Sequence, residues 1–317
     1  MTNLEHDISY TTDEIAQLLK VSKLTVYDII KKGEIRAYRV GRQMRVDAVD
    51  LTAYKERLKS GGESTPVSSK SMIPQAIAPE SVTDKQIIIS GQDLSLDILA
   101  SHIEESGLFR PLRSFSGSLN SLIKMYQGQA DIVSTHLFDG ETGEYNVPYI
   151  KRLLTGRSYM VINLLGRKAG LYVQKDNPKN LQDWSDLGQS GVRLVNREKG
   201  SGARVLLDEQ LRLAGITTCS IIGYDDEELN HMAVATRIAF GQADVGVGIE
   251  KTARLINVDF IPLIQEQYDL VLIKTPENEK LRQLIVETLN SASFKEKLAA
   301  IGGYDLTKTG TILYETV

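Results

Sequence analysis

A stretch near the N-terminus, residues 60–83, is rich in glycine, serine and proline and carries few residues that can build a core. It begins Ser-Gly-Gly-Glu-Ser-Thr-Pro-Val-Ser-Ser-Lys-Ser-Met-Ile-Pro. This composition is typical of a flexible connection and argues against one continuous core across it. The sequence therefore predicts a domain over residues 1–60, a linker over residues 61–84 and a second domain over residues 85–317.

The first domain carries the signals of two short consecutive helices. Thr11 and Glu14 have the spacing of a capping box, and the apolar residues that follow predict a helix to about residue 20. A second helix is predicted from Ser22, with Gly33 just beyond its end. Two helices joined this closely predict a helix-turn-helix.

A strand hairpin and a third helix are predicted next. Residues 35–40 alternate in polarity, a turn is expected at residues 41–42, and residues 43–46 form the returning strand. Asp47 is then placed to begin a helix. Between Lys20 and Arg45 there are eight basic and two acidic residues, although the whole chain has a formal net charge of −4. This asymmetry indicates a polyanionic partner for the first domain only.

Three short motifs in this domain resemble the excisionase-type, MerR-related winged helix-turn-helix. They are Tyr-Thr-Thr-Asp-Glu-Ile-Ala at residues 10–16, Thr-Val-Tyr at residues 25–27 and Arg-Val-Gly-Arg at residues 39–42. The resemblance implies that the second helix enters the major groove of double-stranded DNA and that the hairpin is a wing. The residues that it places against DNA are Lys23, Thr25, Tyr27, Lys31, Arg39 and Arg42. Basic residues at such positions would contact phosphates and make the affinity fall with salt.

Strands and helices alternate through the second domain, which predicts an α/β fold with parallel sheets. One motif occurs twice, as Gly-Gln-Ala-Asp-Ile-Val at residues 128–133 and as Gly-Gln-Ala-Asp-Val-Gly at residues 241–246. Each copy follows an amphipathic helix. The repeat predicts two lobes of similar construction, and ligands of such sheets bind at the carboxyl ends of the strands. We therefore expect a cleft between the lobes.

Residues 196–204, Asn-Arg-Glu-Lys-Gly-Ser-Gly-Ala-Arg, lie between a predicted strand and a predicted helix. The glycines allow a tight turn, and the amides and dipole of a helix N-terminus attract an anion, which Arg197 or Arg204 would clamp. A phosphate-loop NTPase is disfavoured because no Gly-Lys-Ser or Gly-Lys-Thr occurs in the chain. The alternative is a bare turn with a capping serine.

Together with residues 141–148 and 177–187, this loop resembles the periplasmic-binding-protein-like domain related to molybdate- and tungstate-binding proteins. The resemblance covers residues 86–300 and implies a two-lobed clamshell of type II with an oxyanion or small molecule between the lobes. Ala203 departs from related loops, which often carry threonine there. The ligand-binding residues that the resemblance implies are Ser116, Ser118, Thr135, His136, Arg197, Ser201, Gly202 and Arg204. His136 has the alternative of being a packing residue.

These features predict a one-component transcription regulator that binds DNA and senses a small anionic ligand of the molybdate or tungstate kind. We expect a homo-oligomer because one small DNA-binding module reads few bases. Two alternatives remain: a sensor of an organic acid or other small molecule, and an enzyme or accessory protein of molybdenum-cofactor metabolism. The enzyme is disfavoured because the sequence offers no nucleophile with a base at convincing spacing. No catalytic residue, metal site or cofactor is predicted.

A cytoplasmic location is expected. The chain has a single cysteine, Cys219, so it forms no internal disulfide and offers no cysteine cluster for a metal. No apolar run reaches the roughly 18 residues of a membrane span, and the first residues lack the features of a signal peptide. We therefore expect no membrane partner.

Overall fold

The computed structural model describes residues 9–19, 21, 23–31, 35, 37–40, 43–59 and 85–316. The chain divides into two compact units, Met1–Ala78 and Pro79–Val317. The predicted linker, residues 61–84, lies outside the described residues. The domain boundaries drawn from the sequence therefore stay a prediction.

The first unit has the predicted helix-turn-helix and hairpin. Its helices are α1 (Thr12–Leu19), α2 (Lys23–Lys31) and α3 (Ala48–Lys59), and its strands are β1 (Ser9–Thr11), β2 (Tyr38–Val40) and β3 (Gln43–Asp47). The strands pair in the antiparallel order β1-β3-β2, and β1 was not expected from the sequence. The capping box forms as predicted, because the Glu14 carboxylate accepts the Thr11 amide at 2.8 Å. The core of this unit consists of Ile15, Val26, Ile35, Val46, Leu51 and Tyr54.

The second unit is built on one mixed sheet with helices on both faces. Its strands are β4 (Lys85–Ser90), β5 (Phe109–Ser114), β6 (Ile132–Thr135), β7 (Tyr159–Val173), β8 (Asn196–Arg197), β9 (Glu227–Glu228), β10 (Val245–Ile249), β11 (Asp259–Ile273), β12 (Tyr304–Asp305) and β13 (Ile312–Glu315). Its helices are α4 (Ser95–Glu105), α5 (Ser118–Tyr126), α6 (Val147–Leu153), α7 (Gly202–Leu213), α8 (His231–Ala239), α9 (Glu250–Ile256), α10 (Glu279–Asn290) and α11 (Ala292–Ile301). The sheet order is β10-β7-β11-β6-β4-β5, and the short pair β8-β9 stands apart.

Strand direction differs from the expectation of parallel sheets. Only β5-β4-β6 pair in parallel within the large sheet, whereas β7 and β11 pair antiparallel along their whole length. Residues 159–173 form the single 15-residue strand β7. The pairing of β7 with β11 is antiparallel because β7 carries the chain from one lobe to the other and β11 carries it back. Arg167 on β7 lies opposite Glu266 on β11 in this register.

The cores confirm two lobes. In lobe 1, residues 85–136, 147–165 and 268–316, successive residues such as Val161 and Ile162 belong to separate apolar clusters on opposite faces of the sheet. In lobe 2, residues 169–264, Leu171 and Tyr172 divide in the same way. Each lobe is thus a sheet between two helical layers.

A loop between β6 and α6, residues 137–146, reaches from lobe 1 to lobe 2. Its Phe138 and Tyr145 side chains pack in the core of lobe 2, with their rings 5.4 Å apart. The ends of the loop are joined, because Asn146 donates its backbone amide to Leu137 and accepts the Leu137 amide at its Oδ1, at 2.8 Å and 2.7 Å. The two lobes are therefore connected by this loop as well as by β7 and β11.

The repeated sequence motif has the same structural role in both lobes. Asp131 accepts the backbone amide of Ile88 at 2.7 Å and donates its own amide to the Ile88 carbonyl at 3.0 Å. Asp244 accepts the Arg193 amide at 2.9 Å and donates to the Arg193 carbonyl at 2.8 Å. Each motif aspartate thus ties its strand to the backbone of a neighbouring segment. The internal repeat predicted from the sequence is confirmed by this shared bonding.

Candidate functional site

Four helices of nine to twelve residues begin at a single cavity of about 490 Å³ between the lobes, and the seven-residue helix α9 begins there as well. Helices α4 and α5 come from lobe 1, and α7 and α8 come from lobe 2. The residues that precede their first turns, Leu94, Gly117, Ser201 and Asn230, all line the cavity. First-turn amides have no acceptor inside their own helix, and each N-terminus carries about half a positive charge. The cavity is therefore an environment that favours an anion.

Helices α5 and α7 meet across the cleft. Leu119 donates its amide to the Gly200 carbonyl at 2.9 Å. A Cβ atom at Gly117 would lie 2.9 Å from that carbonyl oxygen, and one at Gly202 would overlap the His136 ring. Glycine is therefore required at both helix starts, and the lobes are closed on each other at this point.

His136 is a neutral hydrogen-bonding group in the wall of the cavity. Its Nδ1 lies 3.0 Å from Ser118 Oγ, and its ring lies 5.2 Å from the Tyr268 ring. Burial, reinforced by the positive charges of Arg167 and Arg197, lowers the pKa of His136 well below its usual value. The ring therefore provides a hydrogen bond and no charge.

Arg197 is buried and bridges the lobes. Its Nε and Nη2 donate to the Glu198 carboxylate at 2.8 Å and 2.9 Å, and Nη2 also donates to Gln92 of lobe 1 at 2.8 Å. Only 3% of the residue is exposed. The carboxylate of Glu198 thus balances the Arg197 charge in the closed cleft.

Arg167 lies at the crossing of β7 and β11, between two carboxylates. Its Nη1 contacts Asp93 and its Nε contacts Glu266, both at 2.5 Å, and its guanidinium lies 4.4 Å from the centre of the Tyr268 ring. Burial raises the pKa of Glu266 although Arg167 opposes the shift. Burial would also raise the pKa of Asp93, but Arg167 and hydrogen bonds from Ser95 and Tyr304 lower it below its usual value.

Lys251 is the third cation of the cavity wall. No carboxylate of the described residues lies within ion-pair distance of its ammonium group, which stands 5.0 Å from the centre of the Tyr304 ring. Burial lowers the pKa of Lys251, whereas the charge of Asp93 raises it. Its charge is the least compensated of the three.

The comparisons with known proteins agree with this geometry. Residues 100–290 match the model of the PBP superfamily domain. Protein YvgK of Bacillus subtilis is 53% identical over 308 residues, which cover 97% of this chain and 98% of that protein.

The chain belongs to the PBP superfamily.

Further comparisons give a match to the N-terminal residues, a second relative and a solved structure of similar fold. Residues 9–59 match the helix-turn-helix domain model. A Clostridium pasteurianum protein encoded in the 5′ region of a ferredoxin 2Fe-2S gene is 45% identical over 112 residues, covering 35% of this chain and 99% of that protein. The tungstate ABC transporter from Geobacter sulfurreducens superposes with a TM-score of 0.51 at 12% identity over 68% of this chain and 98% of that chain. This last likeness shows a shared fold. The chain thus joins a DNA-binding kind of domain to a ligand-binding PBP domain.

The cleft of the PBP domain contains six of the eight ligand-binding residues expected from the sequence. Those that line the cavity are Ser116, Ser118, His136, Arg197, Ser201 and Gly202. Thr135 does not, because it points to the opposite face of β6 from its neighbours Ser134 and His136. It is fully buried, and its Oγ1 has no hydrogen-bond partner among the described residues.

Arg204 also lies away from the cavity of the PBP domain. It follows Gly202 by two residues, a rotation of about 200° around the axis of α7. Its guanidinium pairs with Asp208 and Glu227 at 3.1 Å and 3.0 Å and stacks on the Tyr224 ring at 4.2 Å. Arg204 therefore holds α7 to β9.

Several residues in the cavity wall of the PBP domain were not predicted from the sequence. They are Asp93, Arg167, Lys251, Tyr268 and Tyr304, together with Asn230 and His231 at the start of α8. The repeated motif could have indicated one of them, Lys251. The strand of the first motif ends at Thr135, one residue before His136, and the strand of the second ends at Ile249, two residues before Lys251. Arg167 and Tyr268 lie within long strands, where no local pattern marks a site.

The helix-turn-helix domain presents two of its predicted DNA-contacting residues on α2. Lys23 and Thr25 are exposed, and Lys23 Nζ lies 2.7 Å from Asp13 on α1. The side chains of Tyr27, Lys31 and Arg39, and all of Arg42, lie outside the described residues. The predicted DNA contacts stay a prediction.

The described part of the chain contains no group of three or more histidine, cysteine, aspartate or glutamate side chains arranged to hold a metal ion. None of its helices combines the length and apolar character needed to cross a membrane. Cys219 is exposed and forms no disulfide with a described residue.

Proposed function

We propose that this chain is a ligand-responsive transcription regulator. Its helix-turn-helix domain binds double-stranded DNA, and its PBP domain binds a small molecule that carries an oxyanion group. The observation that carries the proposal is the convergence of the N-termini of α4, α5, α7 and α8 on one cavity between the lobes, in a chain that also has a helix-turn-helix domain. Ligand binding changes DNA binding to the extent that the ligand prefers one arrangement of the lobes.

The ligand-binding residues in this proposal are those that the cavity shares with the sequence prediction. The hydroxyls of Ser118 and Ser201 and the backbone of Gly202 at the start of α7 offer hydrogen bonds to oxygen atoms, and His136 adds a neutral ring. Arg197 contributes when the ligand takes the place of Glu198. Molybdate and tungstate are the first oxyanions to test, because the fold is shared with a tungstate transporter protein.

The DNA-binding part of the proposal rests on the helix-turn-helix match and on the exposed position of Lys23 and Thr25. Tyr27, Lys31, Arg39 and Arg42 complete the proposed contact surface. We further propose that the protein acts in the cytoplasm as a homo-oligomer, since one such module reads few bases.

We propose that the cleft binds its ligand without catalysing a reaction, although one of its contacts resembles the hydrogen bond between a nucleophile and its base in an enzyme. Ser118 Oγ and His136 Nδ1 are 3.0 Å apart, a distance typical of a nucleophile and its base. The third member of such a triad is not in place, because Glu266 lies 3.8 Å from His136 Nε2 and is paired with Arg167. The low pKa of His136 also makes it a weak base at neutral pH.

The test has two measurements on the full chain. Isothermal titration with molybdate, tungstate, sulfate and phosphate measures ligand binding in the cleft. Fluorescence anisotropy with DNA duplexes selected from a random library measures DNA binding. We expect binding of at least one oxyanion and a shift of DNA affinity when it is added. A protein that binds selected DNA but shows the same affinity with and without bound oxyanion would contradict the proposed coupling.

A further inference from the structure

The cavity is much larger than a bare tetrahedral oxyanion. If each oxygen occupies about the volume of one water molecule, roughly 30 Å³, four oxygens fill about 120 Å³. The cavity measures about 490 Å³, which lies in the range of roughly 300–1,000 Å³ that is usual for organic ligands. A bare oxyanion would leave most of this volume to water.

The wall of the cavity carries both polar residues and exposed apolar residues. The polar end is the meeting point of α5 and α7, with Ser118, Ser201 and His136. Three apolar residues of the wall, termed the apolar end, are Leu94 from lobe 1 and Met232 and Leu255 from lobe 2. These three side chains are 51%, 54% and 67% exposed, so nothing in the described residues covers them. Apolar side chains from both lobes at the entrance of a binding cleft indicate a ligand with an apolar part.

Two of the three cations of the wall are balanced by carboxylates of the protein itself. Arg167 is paired with Asp93 and Glu266, and Arg197 is paired with Glu198. Lys251 has no carboxylate of the described residues within ion-pair distance, so one side-chain charge is left to hold a small dianion. The helix N-termini supply directed amides for one acidic group, and further affinity has to come from contact with the rest of the ligand.

We infer that the ligand of the cleft is an organic anion. Its acidic group lies at the polar end between α5 and α7, and its apolar body extends past Tyr268 to Leu94, Met232 and Leu255. This inference rests on the proposed ligand-binding function and specifies its ligand class. A bare oxyanion such as molybdate would imitate only the acidic group of this ligand and would lack its apolar body.

Matched pairs of probes test the inference on the full chain. The pairs are inorganic phosphate with phenyl phosphate, and acetate with phenylacetate, each measured by isothermal titration. Burial of about 60 Å² of apolar surface raises an affinity about tenfold. We therefore expect the aromatic member of at least one pair to bind tenfold or more tightly than its small partner.

Variants at the exposed apolar end locate the effect. Met232→Ser and Leu255→Ser should weaken binding of the preferred aromatic probe about threefold to tenfold each and leave inorganic phosphate or acetate unchanged. Leu213→Ser is the matched control, because Leu213 is 53% exposed on α7 and does not line the cavity. It should change neither affinity. Exposed positions are chosen so that the variants fold.

The outcomes separate this inference from the proposed function. If molybdate or phosphate binds and neither aromatic probe gains affinity, the inference is overturned and the proposed oxyanion sensing stands. An aromatic gain that both cleft variants leave intact would also overturn it, because the apolar body would then lie elsewhere. Failure of every anion to bind would overturn the inference together with the proposed sensing function.

Discussion

Arg167 is the residue on which the electrostatics of the cleft depend. It is almost fully buried, and its guanidinium joins Asp93 in lobe 1 to Glu266 on the crossing strand β11. The sequence could not predict this group, because Glu266 is 99 positions away and only the β7–β11 register brings the two together. Long-range pairing of this kind leaves no local spacing to recognise.

Replacement of Arg167 should be strongly destabilising. Arg167→Ala leaves two buried carboxylates without a partner, and loss of one member of a buried pair costs about 3–5 kcal/mol. The free energy of unfolding in urea measures this loss. Arg254→Ala is the control, since the Arg254 side chain pairs with Glu250 while 70% exposed and should contribute less than about 1 kcal/mol. Equal small losses in both variants would show that Asp93 and Glu266 need no counter-charge.

Asp269 gives the PBP domain a pH-dependent stability. Its carboxylate accepts the side-chain amides of Asn146 and Asn163 at 2.7 Å and 2.8 Å, yet burial raises its pKa from 3.8 to about 6. An acid whose pKa is raised on folding holds its proton more tightly in the folded state. Its stabilising contribution is therefore present at about pH 4 and is lost as the pH rises through 6.

Comparison with Asp269→Asn isolates this effect. The difference in unfolding free energy between the native chain and the variant should become less favourable to the native chain from pH 4 to pH 7, by up to about 3 kcal/mol. All other titrating groups occur in both proteins, so they cancel in the difference. A series of urea unfolding curves measures it, and a difference that stays constant with pH would exclude Asp269 as the source.

At the level of elements, the sequence predicted the helices and hairpin of the first domain, the alternation of strands and helices in the second, and one internal repeat. The Gly-Gln-Ala-Asp motif was recognisable because its aspartate has the same local task in both lobes, to bond the backbone of a neighbouring segment. The direction of β7 and β11 was not recognisable. Strand direction depends on which lobe the chain enters next, and the apolar pattern of a buried strand is the same in either direction.

The contact of α5 with α7 should be sensitive to a single methyl group. Gly117→Ala places a Cβ atom 2.9 Å from both the Gly200 carbonyl oxygen and the Ser201 Cα, so the helix starts have to separate. Overpacking of this kind costs roughly 1–3 kcal/mol. We expect a larger radius of gyration in small-angle X-ray scattering and a lower thermal midpoint.

Gly188→Ala is the matched control for that change. The atoms nearest to a Cβ at Gly188 belong to the Ile216 side chain at 3.5–3.7 Å, which is ordinary contact distance. It should leave the radius of gyration and the midpoint unchanged within error. If Gly117→Ala behaves in the same way, the close approach of the two helices does not constrain the cleft.

For the whole molecule, the division into a helix-turn-helix domain and a PBP domain was predicted from composition and short motifs. The cleft was predicted in outline, because strand ends and helix starts are local features. The apolar end of the cavity was not, because Leu94, Met232 and Leu255 are far apart in the chain and look like ordinary helix residues. Their common role exists only after the two lobes have closed.

The two proposed activities should respond to different substitutions. Lys23→Ala should lower DNA affinity and reduce the slope of its logarithm against the logarithm of salt concentration by about one, because one phosphate contact is lost. Arg197→Ala should weaken oxyanion binding and leave DNA binding by the ligand-free protein nearly unchanged. Fluorescence anisotropy over a salt series and titration with molybdate measure the two effects. A loss of both activities in either variant would contradict the assignment of separate modules.

The loop of residues 137–146 bears on how quickly the protein responds. Phe138 and Tyr145 are embedded in lobe 2, while the joined ends of the loop adjoin β6 and α6 of lobe 1. Opening the cleft therefore has to bend three chain segments together, and we expect slow ligand exchange, which stopped-flow dissociation of a bound probe measures. A sensor with a long residence time averages the ligand concentration over that interval. Its transcriptional output would follow sustained supply and ignore brief fluctuations.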